Sequence, residues 1–280
     1  MASDVGAAVS TGFVVDQAEQ ARFLANKRRL LWRKRLLPLG AVVLLLALWH
    51  LAVVQFDIKP FIAPAPAAVL RVLIQRFDIL MANLLPTAIE AVCGFMLGNF
   101  AAIALATAFV HNRAAEEAFF PIAVMVNTIP VVAKAPILVL LLGNGMEPKI
   151  AIAALICFFP TLVNMVRGLQ DVNPQALELM RVLSASSREV FLKIRVQNSL
   201  PYLFSALKIA ASTSVIGAIV GEWIGSVKGI GALIIQATYA FDTPLLYATI
   251  VVGSTFSACF FGVIGLIERR VVKWKAPQAS

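Results

Sequence analysis

Apolar residues in this chain fall into long blocks rather than at helical or strand spacing. The first block, 36–54, holds no Asp, Glu, Lys or Arg. Later blocks cover about 85–110, 119–142, 150–169, 202–224 and 245–267, with short polar stretches between them. A run of roughly 20 apolar residues matches the hydrocarbon thickness of a bilayer when helical. The pattern therefore predicts an all-α, polytopic integral membrane protein with about six transmembrane helices. Residues 1–35 read as a basic tail, 36–54 as the first span, and 55–84 as an external connection with a short surface helix. A core at 85–267 follows, then a tail at 268–280. The first block reads as a retained span, because its basic cluster lies far from the start and no small-x-small cleavage site follows.

Composition agrees with the pattern. Mean hydropathy is +0.86, with 60% hydrophobic and 14% charged residues, whereas soluble domains carry about 25% charged residues. The net charge of +9 does not point to nucleic acid, because the basic residues sit at block ends instead of forming one face. There they suit membrane lipid headgroups. With the N-terminus inside, 18 of the 24 Lys and Arg fall in internal segments, five outside (Lys59, Arg71, Arg76, Lys149, Lys228), and Lys134 within a span. Basic residues resist translocation, so both termini are expected in the cytoplasm of a cell (inner) membrane.

One internal connection, 170–201, is long and helical in character. Asn173-Pro174 has the form of an N-cap followed by proline at the first helical position. Leu177, Met180 and Leu183 would then share a face. Ser186 and Glu189 stand at capping-box spacing, with Val190, Phe191 and Ile194 apolar behind them. Such a pair of amphipathic helices either lies on anionic lipid or docks into another protein, and the residues alone leave both open.

The segment Glu178-Leu179-Met180-Arg181-Val182-Leu183-Ser184, with Ile194 ten residues on, resembles the EAA loop of binding-protein-dependent ABC importer permeases. That motif runs Glu-Ala-Ala, three residues, Gly, nine residues, Ile, one residue, Leu-Pro. Glu178 and Ile194 match it, Ser184 stands for the glycine, and Val196-Gln197 stand for Leu-Pro, with Leu200-Pro201 following. Thr128-Ile129-Pro130, Ala135-Pro136-Ile137, Gly143-Asn144-Gly145, Phe158-Phe159-Pro160 and Gly221-Glu222-Trp223-Ile224-Gly225 resemble permeases of nitrate, sulfonate, taurine and thiamine-pyrimidine precursor importers. The resemblance implies the type I importer permease fold, a periplasmic binding protein, a cytoplasmic ABC ATPase dimer and a second permease copy. It places Glu178, Arg181, Ser184, Ala185, Phe191 and Ile194 at the ATPase contact. Within its solute range, a pyrimidine-like heterocycle is the first expectation and a sulfonate, taurine or nitrate anion the second.

Candidate path or gate residues cluster in and after the third block. Pro130 and Pro136 flank Lys134, and Asn127 precedes them. Prolines free backbone carbonyls, and a lysine at mid-membrane costs about 2.5–3.5 kcal/mol on insertion scales, so Lys134 should face a cavity, a partner or an interface. Glu222 reads as a partner of Lys228 or part of an external gate, and Glu90 as a helix–helix pair or a solute contact.

No Gly-x-x-x-x-Gly-Lys-[Ser/Thr] run occurs, so ATP hydrolysis is expected on another chain. The two histidines, His50 and His111, stand apart, and Cys93, Cys157 and Cys259 lie in apolar blocks without metal-ligand spacing. No catalytic residue, metal site or cofactor is expected. An ion-gradient-driven secondary transporter is the alternative, although such proteins often carry paired broken helices and this chain has one proline-broken block.

Overall fold

The computed structural model describes Arg22 and residues 36–273. The expected basic tail, apart from Arg22, and residues beyond 273 lie outside the described residues. The chain divides into two units, 1–67 and 68–280. The first contains α1, Leu36–Gln55, apolar along its whole length and exposed.

α2 (Pro66–Gln75) starts at the boundary, and the second unit continues with α3 (Phe77–His111), α4 (Arg113–Thr128), α5 (Val131–Leu142) and α6 (Glu147–Gln170). Then come α7 (Pro174–Val182), α8 (Ser187–Val190), a π-helical turn (Phe191–Arg195), α9 (Val196–Glu222), α10 (Ile230–Tyr239) and α11 (Thr243–Val271). Among the described residues, five helices are long and apolar enough to cross a membrane, or six if the bent pair α4–α5 is one span.

α6 is the centre, packed between α3 and α9, with α11 against α9. Small residues make this possible. Gly94 and Gly98 on α3 meet Ala153 and Ala154, where an added Cβ would stand 2.4 Å from Ala153 Cβ and 2.3 Å from the Ala154 carbonyl oxygen. Gly217 and Gly221 on α9 approach the other side of α6, at Ala153 and Lys149. Spaced four apart, each pair lets two backbones touch where lipid offers no hydrophobic drive. Buried polar groups join the same helices: Thr161 Oγ1 donates to Asn99 Oδ1 at 2.6 Å, and Asn99 Nδ2 to the Phe95 carbonyl at 2.6 Å. At one end Lys208 of α9 pairs with Glu268 of α11 at 2.7 Å.

The proline-broken third block is two helices: α4 and α5 meet at 99°. Ile129 is extended (φ −67°, ψ 126°) as the residue before a proline must be, and Pro130 becomes the N-cap of α5. Pro86, Pro121, Pro136, Pro160 and Pro201 are accommodated inside helices. Helices also outrun the apolar blocks that mark them. α3 starts at Phe77, and Ser187–Glu222 is continuous through the π turn, because hydropathy reports the bilayer and not the hydrogen-bonded length.

Candidate functional site

The connection after α6 is fastened before it projects. Arg195 Nη1 donates to the Leu169 carbonyl at 2.7 Å, and Asn198 Nδ2 to those of Gly168 and Asp171 at 3.0 and 2.6 Å, answering carbonyls that the end of α6 leaves free. The Tyr202 hydroxyl donates to the Asp171 carboxylate. From this base Asn173 Oδ1 accepts from the Gln175 amide at 2.9 Å and α7 starts at Pro174.

α7 ends in a Schellman turn, with Ser184 N bonded to Arg181 O and Ala185 N to Met180 O, both at 2.9 Å. Ser184 itself is left-handed, φ +54°. α8 then opens on a complete capping box: the Glu189 amide donates to Ser186 Oγ at 3.3 Å, and the Ser186 amide to Glu189 Oε2 at 3.0 Å.

The faces differ from the amphipathic pattern. Leu177 and Met180 turn inward and are half-buried, while Leu179, Val182 and Leu183 are exposed, Val182 at 81%. Leu183 lies past the last residue of α7, so it leaves the stripe that 177 and 180 share. Glu178, Arg181 and Ser184 are exposed beside this ridge; Ala185, Phe191 and Ile194 are half-buried. Phe191 packs on His111, ring centroids 4.8 Å apart, and on the cluster around Phe109 and Leu162. A cavity of about 400 Å³ between α3 and the connection brings together Arg181, Ala185 and Phe191 with His111 and Arg195.

At the bend of α4 and α5, Asn127 and Lys134 line a second cavity of about 230 Å³ with Phe119, Phe158 and Phe159. Its wall is almost wholly apolar, and Lys134 has no ion pair or side-chain hydrogen bond among the described residues. Pro130 marks the bend and Pro136 lies within α5; neither lines this space.

Glu222 lies elsewhere. It is 1% exposed, and its carboxylate accepts from Thr87 Oγ1 at 2.6 Å and from the Gly231 amide at 2.5 Å. Lys228, the partner considered from sequence, is exposed and makes no ion pair among the described residues. The cation near Glu222 is Lys149, which counted as an external anchor in the charge census. It is 5% exposed and donates to the Gly145 carbonyl at 2.8 Å. Thr87, Asn83 and Lys149 were not singled out in sequence. The only signal for Lys149 is its place inside the first turn of an apolar helix.

Residues 94–273 match the family model described as binding-protein-dependent transport system inner membrane component. The chain belongs to that family. It is similar to a probable ABC transporter permease protein of Haemophilus influenzae (33% identity, 83% of this chain and 95% of that one). It is also similar to the formylaminopyrimidine transport permease of Halalkalibacterium halodurans (31%, 84% and 94%) and the riboflavin transport system permease of Chloroflexus aurantiacus (32%, 89% and 93%). Among solved structures, a chain of the MetNI methionine ABC transporter shares the fold, with TM-score 0.57 and 18% identity, over 72% of this chain and 98% of that one.

This binding-protein-dependent permease is therefore the membrane component of an ABC importer, with the type I permease fold. Membership removes the ion-gradient alternative. The matched segment contains both the fastened connection and the bent pair α4–α5.

Proposed function

We propose that this permease carries a small heterocyclic solute from a periplasmic binding protein through a pore made with a second copy. A separate cytoplasmic ATPase dimer would drive it through the connection between α6 and α9. The observation that carries the ATPase reading is the ridge of Leu179, Val182 and Leu183 beside Glu178, exposed on helices capped at both starts and tied to α6 by Arg195 and Asn198. A ridge held this firmly transmits a push to the core helices. Capped, fastened helices with apolar side chains out suit a protein groove better than lipid. The distribution of basic residues supports an orientation with the connection and both termini inside.

For the solute, the cavity of Asn127 and Lys134 with three phenylalanines supports a planar body with hydrogen-bond acceptors. Two of the relatives are named for formylaminopyrimidine and riboflavin transport, and a more distant one, of Bacillus subtilis, for aliphatic sulfonates (26% identity). The heterocycle is the better fit because one cation in an apolar, aromatic wall suits a ring more than a compact anion.

One preparation tests both halves. The tagged permease, expressed with its neighbouring genes, should retain a co-purifying ATPase that Glu178→Arg loses. Lys134→Ala should keep the ATPase but lower formylaminopyrimidine uptake about tenfold, the cost of one charged hydrogen bond. No ATPase with the unmodified chain would sink the docking reading, and unchanged uptake in Lys134→Ala would sink the path.

A further inference from the structure

At the end of the core opposite the connection, the chain leaves α9 at Glu222, turns through Gly225 and Gly229 and enters α10. The first amides of that helix do not point at solvent. The Gly229 amide donates to Asn83 Oδ1 at 3.0 Å, the Ile230 amide to Thr87 Oγ1 at 2.8 Å, and the Gly231 amide to Glu222 Oε2 at 2.5 Å. The positive end of the helix dipole is thus closed by one carboxylate and two α3 side chains.

The approach is close enough to demand glycine. A Cβ on Gly229, whose φ is +122°, would stand 2.1 Å from Glu222 Oε1, and one on Gly231 would stand 2.2 Å from the Ile219 carbonyl oxygen.

Two buried carboxyl groups lie at this end of the core, Glu90 and Glu222, 2% and 1% exposed. Only Glu222 reaches α10: it accepts from the Thr87 hydroxyl of α3 and from the Gly231 amide. Glu90 holds no amide of α10, and its Oε2 has no hydrogen-bond partner among the described residues.

We infer that Glu222 is the positioning residue that anchors α10 to α3 and α9, while Thr87 and Asn83 hold the two amides before Gly231. The junction fixes one mouth of the core. That this mouth is the external one rests on the proposed function above, whereas the anchoring does not.

Thiol labelling reads the junction without transport. Ala232, buried on α10, is replaced by Cys in a chain whose exposed Cys93 and Cys259 are Ser. Cys157, buried between α6 and α9, stays as the reporter of global unfolding. In the purified detergent-solubilised protein the new thiol should be protected from a maleimide. It should remain so with Glu90→Gln, a buried neighbour that holds no amide of α10. It should react roughly tenfold faster or more with Glu222→Gln, which puts an amide among donors, while Cys157 stays protected. Glu222→Asp should restore part of the protection. Equal rates in the two Gln variants, or faster labelling in Glu90→Gln, would overturn the assignment. If Glu222→Gln also exposes Cys157, then Thr87→Val decides. Faster labelling at residue 232 alone upholds the anchor, and unchanged labelling refutes it.

Discussion

Ser184 occupies the place where the EAA motif has glycine, and its φ of +54° gives the reason for that glycine. The Schellman turn that ends α7 needs a left-handed residue at this point, where a side chain costs about 1 kcal/mol that glycine does not. The turn forms regardless, because Ala185 N still reaches Met180 O and the capping box restarts the chain two residues on. Ser184→Gly should therefore make the connection open less often. Limited trypsin digestion of the purified permease, cutting at Arg181 or Arg188, should slow by about fivefold for 1 kcal/mol when opening precedes cleavage. Ser184→Val, β-branched at positive φ, should speed it. Equal digestion of all three would mean that the turn does not limit local opening.

The helices were legible as blocks and the caps as residues, but the contacts between helices were not. Asn173-Pro174 and Ser186/Glu189 are local signals, and both cap as their spacing predicts. Pro130 also marked its own break, though the size of the bend, 99°, depends on where α5 finds α6. Long-range partners left no local trace. Gly94 and Gly98, or Gly217 and Gly221, are small-xxx-small pairs anyone can read, yet only the fold shows that all four face α6. The same holds for Thr87 and Glu222, which lie 135 positions apart.

The packing of α3 on α6 makes a sharp prediction for this level. Gly98→Ala places a methyl 2.3 Å from a backbone oxygen that cannot move aside, so it should destabilise by about 1–3 kcal/mol. Gly262→Ala and Gly265→Ala on α11 meet nothing within 4 Å and should not. Thermal denaturation of the detergent-solubilised variants would separate them. A Gly98→Ala as stable as Gly262→Ala would mean that the two helices are not in contact at that point.

The basic residues of the core are unevenly shared between its two ends. Gln170 bonds to Glu116 beside the α3–α4 corner, and Lys208 pairs with Glu268 near the end of α11. These contacts gather Arg113, Arg167, Arg181, Arg188, Lys193, Arg195, Arg269, Arg270 and Lys273 at the end that carries the connection. The opposite end has Arg71, Arg76, held by Asp242 at 2.7 Å, buried Lys149, and Lys228. An uneven count of basic residues is what orients a polytopic chain, since each resists translocation. Green fluorescent protein fused after Lys273 should therefore fluoresce, as it does only in the cytoplasm. Alkaline phosphatase fused after Val227, in the turn before α10, should be active, which requires export. The reverse pattern would put the exposed ridge of Leu179 and Val182 on the outside, where no ATPase could reach it. The docking reading would then fail with the orientation, while the anchoring of α10 by Glu222 would stand.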